Sequence, residues 1–122
     1  MTVLFSVLAG VLAVEFASFG AAKVAAIAPM RARAEHLGIT PTMFRGVGAL
    51  EISAATGVLL GLANPWIGMA AGAGLVMLMG GAIAVHLRRG DNMIDIVPAA
   101  GTGLVAVAYT LASAGAIPWM PR

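Results

Sequence analysis

Two carboxylates, Glu15 and Glu51, each interrupt a long apolar run. A carboxylate placed in hydrocarbon costs about 3 kcal/mol unless it meets a cation, a hydrogen-bond donor or water. The side chains able to meet these two are Lys23, Arg45 and His86, with Arg88 and Asp91 just past the histidine. Such a set suits a buried polar site. The cations hold the charge of the carboxylates, a carboxylate accepts a hydrogen bond or a proton, and an imidazole passes protons near neutral pH. The same set also suits an ion-pair network that fixes helix register and carries no chemistry. Tyr109 is a secondary candidate, placed either to line an apolar cavity or to pack in the core. Asp91 and Asp95 are expected to cap the helix that follows them. No metal ligands are expected, because histidines and carboxylates do not converge at motif spacing and no haem motif is present. The chain has no cysteine, which excludes disulfides, thiolate metal sites and dithiol relays within it.

The elements that must position these groups are four apolar stretches, about 2–22, 42–63, 66–87 and 97–118. Each is close to the roughly 20 residues that cross a hydrocarbon core of about 30 Å as a helix. Alternation of period two is absent and Ala, Leu and Met dominate, so helices are favoured over barrel strands. The expected fold is all-α, a single-domain integral membrane antiparallel four-helix bundle. Asn64 followed by Pro65 predicts a tight hairpin between the second and third spans, and Thr40 with Pro41 repeats the device before the second. Pro29 and Gly38 bracket a segment that reads either as a short interfacial helix or as an irregular loop.

Composition supplies the solvent. Hydrophobic residues make up 61% of 122 positions before 16 glycines are added, and charged residues only 10%. That is far too little charge to coat a water-soluble domain of this size, so lipid is the expected surrounding. The first connection and its borders hold Lys23, Arg31, Arg33 and Arg45, the third holds Arg88 and Arg89, and the second holds no cation. The positive-inside rule places the first and third connections in the cytoplasm and both termini outside, in a plasma or inner membrane. The first stretch reads as a retained span rather than a cleaved signal, since Glu15 interrupts it and no basic residue precedes it. The basic balance is read as topology, not as a nucleic-acid surface.

This parse sets depths. Glu15 precedes the cytoplasmic end of its span by about seven residues and Glu51 follows the start of its own by about nine, which puts both roughly 10 to 14 Å below one surface. They are expected to meet across one helix interface, with Lys23, Arg45 and His86 as a layer above them. Ala9, Ala13, Ala17 and Ala21 fall four apart, as do Gly57 with Gly61 and Gly68 with Gly72, and small residues at this spacing allow close approach of membrane helices. Thr102, Tyr109 and Thr110 are expected to bond within the bundle. Trp66 and Trp119 suit the outer interface, and the eight methionines read as lipid-facing or core filler.

The runs Phe19-Gly-Ala-Ala-Lys23, Arg45-Gly-Val-Gly-Ala-Leu-Glu51, Gly57-Val-Leu-Leu-Gly61 and Gly81-Ala-Ile-Ala-Val-His-Leu-Arg-Arg-Gly-Asp91 resemble the pattern of the DoxX-like family of four-span membrane proteins. The resemblance covers the first three spans and singles out Lys23, Arg45, Glu51 and His86. It implies a redox-associated accessory role, with a bound quinone rather than a covalent cofactor and with a second copy or a larger membrane redox enzyme as partner. Whether the chain is itself an enzyme is left open. With no cysteine, any redox role rests on the quinone or on that partner. The chain also resembles small multidrug transporters, which carry a glutamate midway along the first of four short helices, as Glu15 is placed here. Arg45 and Glu51 depart from that pattern, since the second helix of such transporters is apolar. A purely structural subunit, assembling through its small-residue faces, is the third alternative.

Overall fold

Proline behind a polar cap starts two of the long helices. Thr40 Oγ1 accepts from the Met43 amide at 3.1 Å, and Asn64 Oδ1 accepts from the Trp66 amide at 3.0 Å. Each cap satisfies an amide that the first turn leaves open, and the proline behind it sits where no amide is needed. The computed structural model describes residues 2–118 as α1 (Thr2–Val24), α2 (Ala28–Leu37), α3 (Pro41–Leu60), α4 (Pro65–Arg88) and α5 (Met93–Gly115), with no strand among the described residues. Trp119 and Arg122 lie outside the described residues.

Four of the five helices, all but α2, are long and apolar enough to cross a membrane. α1 packs on α3, α3 on α4, α4 on α5, and α5 returns to α1, so consecutive spans are neighbours in a closed antiparallel ring. The segment from Pro29 onward is helical, and α2 lies across the end of the bundle against α1 and α3. It docks through Met30 and Ala34, which bury with Phe44. Gly38 ends it in the left-handed region at φ 70°, where glycine carries no steric penalty.

The core is built from small and medium side chains: Ala9, Leu12 and Phe16 of α1, Ala55 and Val58 of α3, Leu75 of α4, Ala106 and Tyr109 of α5. The outward face is as apolar as the core, with Val3, Val7, Val11 and Val14 on α1 and Leu104 and Leu111 on α5 all exposed. A surface of this kind is matched to acyl chains rather than water.

The structure corrects three expectations. The alanine stripe on α1 is buried only at Ala9 and Ala13, while Ala17 and Ala21 are exposed. A spacing of four drifts about 40° per step around a helix of 3.6 residues per turn, so the stripe rotates out of the interface. The face that stays buried instead runs Ala9, Leu12, Ala13, Phe16 and Gly20. The last span begins at Met93 rather than near Val97 and carries Pro98 within it. Its N-cap position is Asn92, which makes no side-chain capping bond, and Asp95 falls in the first turn, where a negative charge favours the helix dipole. Asp91 does not cap it.

The glycine pairs perform as read. A methyl group added at Gly57 would lie 2.8 Å from Ala71 Cβ, and one at Gly61 would lie 2.6 Å from Gly68 Cα. The two backbones therefore meet at this hairpin. Tyr109 reaches into it, fully buried and stacked on Phe5 with ring centroids 5.0 Å apart. Its hydroxyl donates to the Val58 carbonyl at 2.7 Å. In the last turn of α3 the carbonyls of Gly57, Leu59 and Leu60 receive backbone amides from the turn, and that of Val58 receives the tyrosine. Tyr109 thus closes the end of a helix where no water is at hand. Tyr109→Phe is expected to lower stability by about 1–3 kcal/mol, the cost of an orphaned buried carbonyl, measured as a shift in unfolding in mild detergent.

Candidate functional site

Gly20 on α1 and Gly48 on α3 bring the two backbones together at the end of the bundle that carries α2. A methyl group at Gly20 would lie 2.8 Å from the Gly48 carbonyl, and one at Gly48 would lie 2.6 Å from Lys23 Cβ. One turn beyond each glycine stand Lys23 and Glu51. The contact is close enough for Lys23 to extend along α3, deeper into the bundle, and Nζ meets Glu51 Oε1 at 2.6 Å. Both side chains are largely withdrawn, at 13% exposure for Lys23 and 4% for Glu51. The ammonium also lies 5.2 Å from the centroid of Phe44 and 5.8 Å from that of Phe19, so aromatic faces complete its surroundings. The second carboxylate oxygen, Glu51 Oε2, is buried and has no hydrogen-bond partner among the described residues.

Glu15 lies on the same helix as Lys23 but faces another neighbour. It is half-buried, and its Oε1 accepts from Thr102 Oγ1 of α5 at 2.8 Å. Its charge reaches Glu51, although the two carboxylates share no donor. The polar interior therefore has two adjoining parts, an ion pair between α1 and α3 and a hydroxyl-bound carboxylate between α1 and α5.

The remaining sequence candidates lie elsewhere. Arg45 is exposed in the second turn of α3, and no ion pair to it is found among the described residues. Arg88 is exposed at the end of α4. His86 turns away from the glutamates to Asp91, whose Oδ2 accepts from its Nδ1 at 2.6 Å. The other oxygen, Oδ1, accepts from His36 Nε2 of α2 at 2.8 Å. The hydrogen bond from His86 is the largest influence on the Asp91 carboxyl. With His36 it outweighs desolvation and holds the group below the usual aspartate range. No group of three or more His, Cys, Asp or Glu among the described residues is arranged to hold a metal ion.

A shallow surface cleft, too closed in this structure to hold even a water molecule, is lined by Lys23, Met30, Arg31, Ala34, Pro41 and Phe44. It meets the ion pair at Lys23. The arrangement offers a donor in Nζ and an unused acceptor in Oε2 side by side in an apolar setting, where each is stronger than in water.

The model of the DoxX-like family matches residues 7–117, nearly all of the described chain. The chain belongs to the DoxX-like family. No curated protein and no solved structure matches it. Of the four residues to which the sequence resemblance pointed, Lys23 and Glu51 are bonded to each other, while Arg45 is exposed and His86 bonds to Asp91. Together with four apolar helices, family membership makes this DoxX-like chain a multi-pass membrane protein.

The sequence reading did not anticipate Thr102 as the partner of Glu15 or His36 as a partner of Asp91. The second was open to detection. The chain holds two histidines, and with an even number of spans both fall at the end of the bundle that also carries Asp91. The first depends on the rotation of α5 about its own axis, for which an uncharged helix gives little sign.

Proposed function

We propose that this protein receives the polar head of a lipophilic ligand of the quinone type at Lys23 and Glu51, as a redox-associated accessory in the membrane. The observation that carries the reading is Glu51 Oε2, buried and without a hydrogen-bond partner among the described residues, beside a lysine that lines the cleft. A buried acceptor left open is costly, and a ligand hydroxyl would repay it. A quinone supplies reversible two-electron chemistry, which this cysteine-free chain lacks of its own. The residues supply binding. Lys23 Nζ would donate to a ligand carbonyl and Glu51 Oε2 would accept from a ligand hydroxyl. The end bearing α2 carries Lys23, Arg31, Arg33, Arg45, Arg88 and Arg89, which favours entry from the cytoplasmic leaflet.

Titration of a short-tailed ubiquinone into the purified protein in mild detergent tests this. Glu51→Gln, nearly isosteric, is expected to weaken binding by about tenfold or more, since a hydrogen bond to a charged group is worth about 1.5–3 kcal/mol. Equal affinity in the variant, or no binding by the wild-type chain, overturns the assignment. Proton-coupled export is the competing reading, and it is favoured by Glu15, which has a hydroxyl but, among the described residues, no cation at bonding distance. It predicts that tetraphenylphosphonium binds in place of the quinone and that Glu15→Gln removes that binding, so a parallel titration separates the two.

A further inference from the structure

Asp91 joins three elements. It sits in the turn between α4 and α5, its side chain is only 7% exposed, and each of its oxygens holds an imidazole, His86 from α4 and His36 from α2. Arg89, from the same turn, donates through Nε to the His36 carbonyl at 3.0 Å, and its guanidinium lies against Gly38, the left-handed residue that ends α2. The α2 helix is otherwise held by a small apolar contact: Met30 and Ala34 are its buried side chains, with Leu37 partly buried beside them. The polar tie at its C-terminal end is therefore a large part of what keeps it on the bundle.

We propose that the His36, Asp91 and His86 cluster is a proton-operated latch, which holds α2 against the α4–α5 turn while the imidazoles are protonated and loosens its grip as they lose their charge.

His36, His86 and Arg89 are the charged or titratable groups bonded at this corner among the described residues, and Glu35, Arg88 and Asp95 are their neighbours along the chain. Among the described residues only the two histidines bond to Asp91. Because its folded pKa is lowered, the stabilisation Asp91 contributes is complete above the ordinary aspartate range and is lost only as pH falls through the lowered value. Asp91 therefore stays anionic across the interval, about pH 5 to about pH 8, in which histidine is the side-chain type that changes charge. A charged donor gives a hydrogen bond roughly twice as strong as a neutral one, so both bonds weaken as pH rises across that interval. The latch borders the helix that forms one wall of the cleft at Lys23, so its release widens access there. That consequence rests on the ligand-binding reading, whereas the latch does not.

The chain has no native cysteine, so introduced pairs can be spin-labelled without background. Labels at Arg33→Cys on α2 and Val97→Cys on α5, both exposed positions, read the distance across the latch in phosphatidylcholine bilayers without any ligand. A control pair, Leu50→Cys and Leu104→Cys, reads the spans. The Arg33 and Val97 distribution is expected to be narrow at about pH 5 and broad at about pH 8, with the control pair unchanged. The double variant His36→Gln with His86→Gln is expected to be broad at both values. A wild-type distribution that ignores pH, a change that survives in the double variant, or an equal change in the control pair overturns the latch. Should the double variant not fold, His36→Gln alone, at an exposed side chain, must still reduce the pH response.

Discussion

Lys23→Met is expected to cost about 3–5 kcal/mol of stability, the largest effect of any single substitution in this chain. The methionine fills the same space but leaves Glu51 buried and without its cation, and breaking one side of a buried pair costs far more than the pair was worth. Aromatic contacts with Phe19 and Phe44 go with the ammonium. The double variant Lys23→Met with Glu51→Leu removes both charges and is expected to recover most of the loss, because an apolar pair of similar volume needs no desolvation to be offset. Unfolding in mixed micelles gives the comparison directly. A single variant as stable as the wild type would show that water or lipid headgroups reach Glu51. The pair also separates fold from function: the double variant is expected to fold and to bind no quinone.

What the sequence made legible was depth, and what it left obscure was rotation. The Thr40-Pro41 and Asn64-Pro65 pairs marked the starts of α3 and α4, because caps and prolines act through local backbone chemistry. The shared depth of Glu15 and Glu51 was expected from rise per residue alone, and the structure places Glu51 between α1 and α3 and Glu15 between α1 and α5. Which way each side chain faces is a different matter. In a soluble helix the apolar stripe marks the inner face, but here lipid-facing and core-facing residues are equally apolar and the stripe vanishes. The alanine spacing on α1 therefore pointed partly outward, and Glu15 was assigned toward α3 when Thr102 of α5 receives it.

The polar end shows the same limit from another side. Arg45 and His86 were grouped with the glutamates because they lie at the right level. Level does not decide partners where water and headgroups compete for a long side chain, and Arg45 turns out to that solvent. His86 finds a carboxylate five residues on in its own connection, nearer than any in the bundle. The loop aspartate was assigned to capping by its type and position, yet two imidazoles from separate elements are stronger partners for a carboxylate than one backbone amide.

Gly48→Ala is expected to be the second most damaging change, out of proportion to one methyl group. That methyl would stand 2.6 Å from Lys23 Cβ and 2.7 Å from the Gly20 carbonyl, where ordinary carbon contacts need about 3.5–4.0 Å. Neither obstacle is the free end of a side chain, so α1 and α3 must move apart, at a cost of about 1–3 kcal/mol for overpacking. The same movement pulls Lys23 Nζ away from Glu51, so lost stability and weakened quinone binding are expected together. Gly46→Ala, on the same helix, is the matched control. Nothing lies within 4 Å of a methyl there, and replacing glycine by alanine inside an open helix position gains up to about 1 kcal/mol. Opposite signs in unfolding measurements on the two variants would locate the constraint in the crossing of the backbones at Gly20 and Gly48. A harmless Gly48→Ala would mean that the helices are not held at that distance, and the ion pair would then owe nothing to their contact.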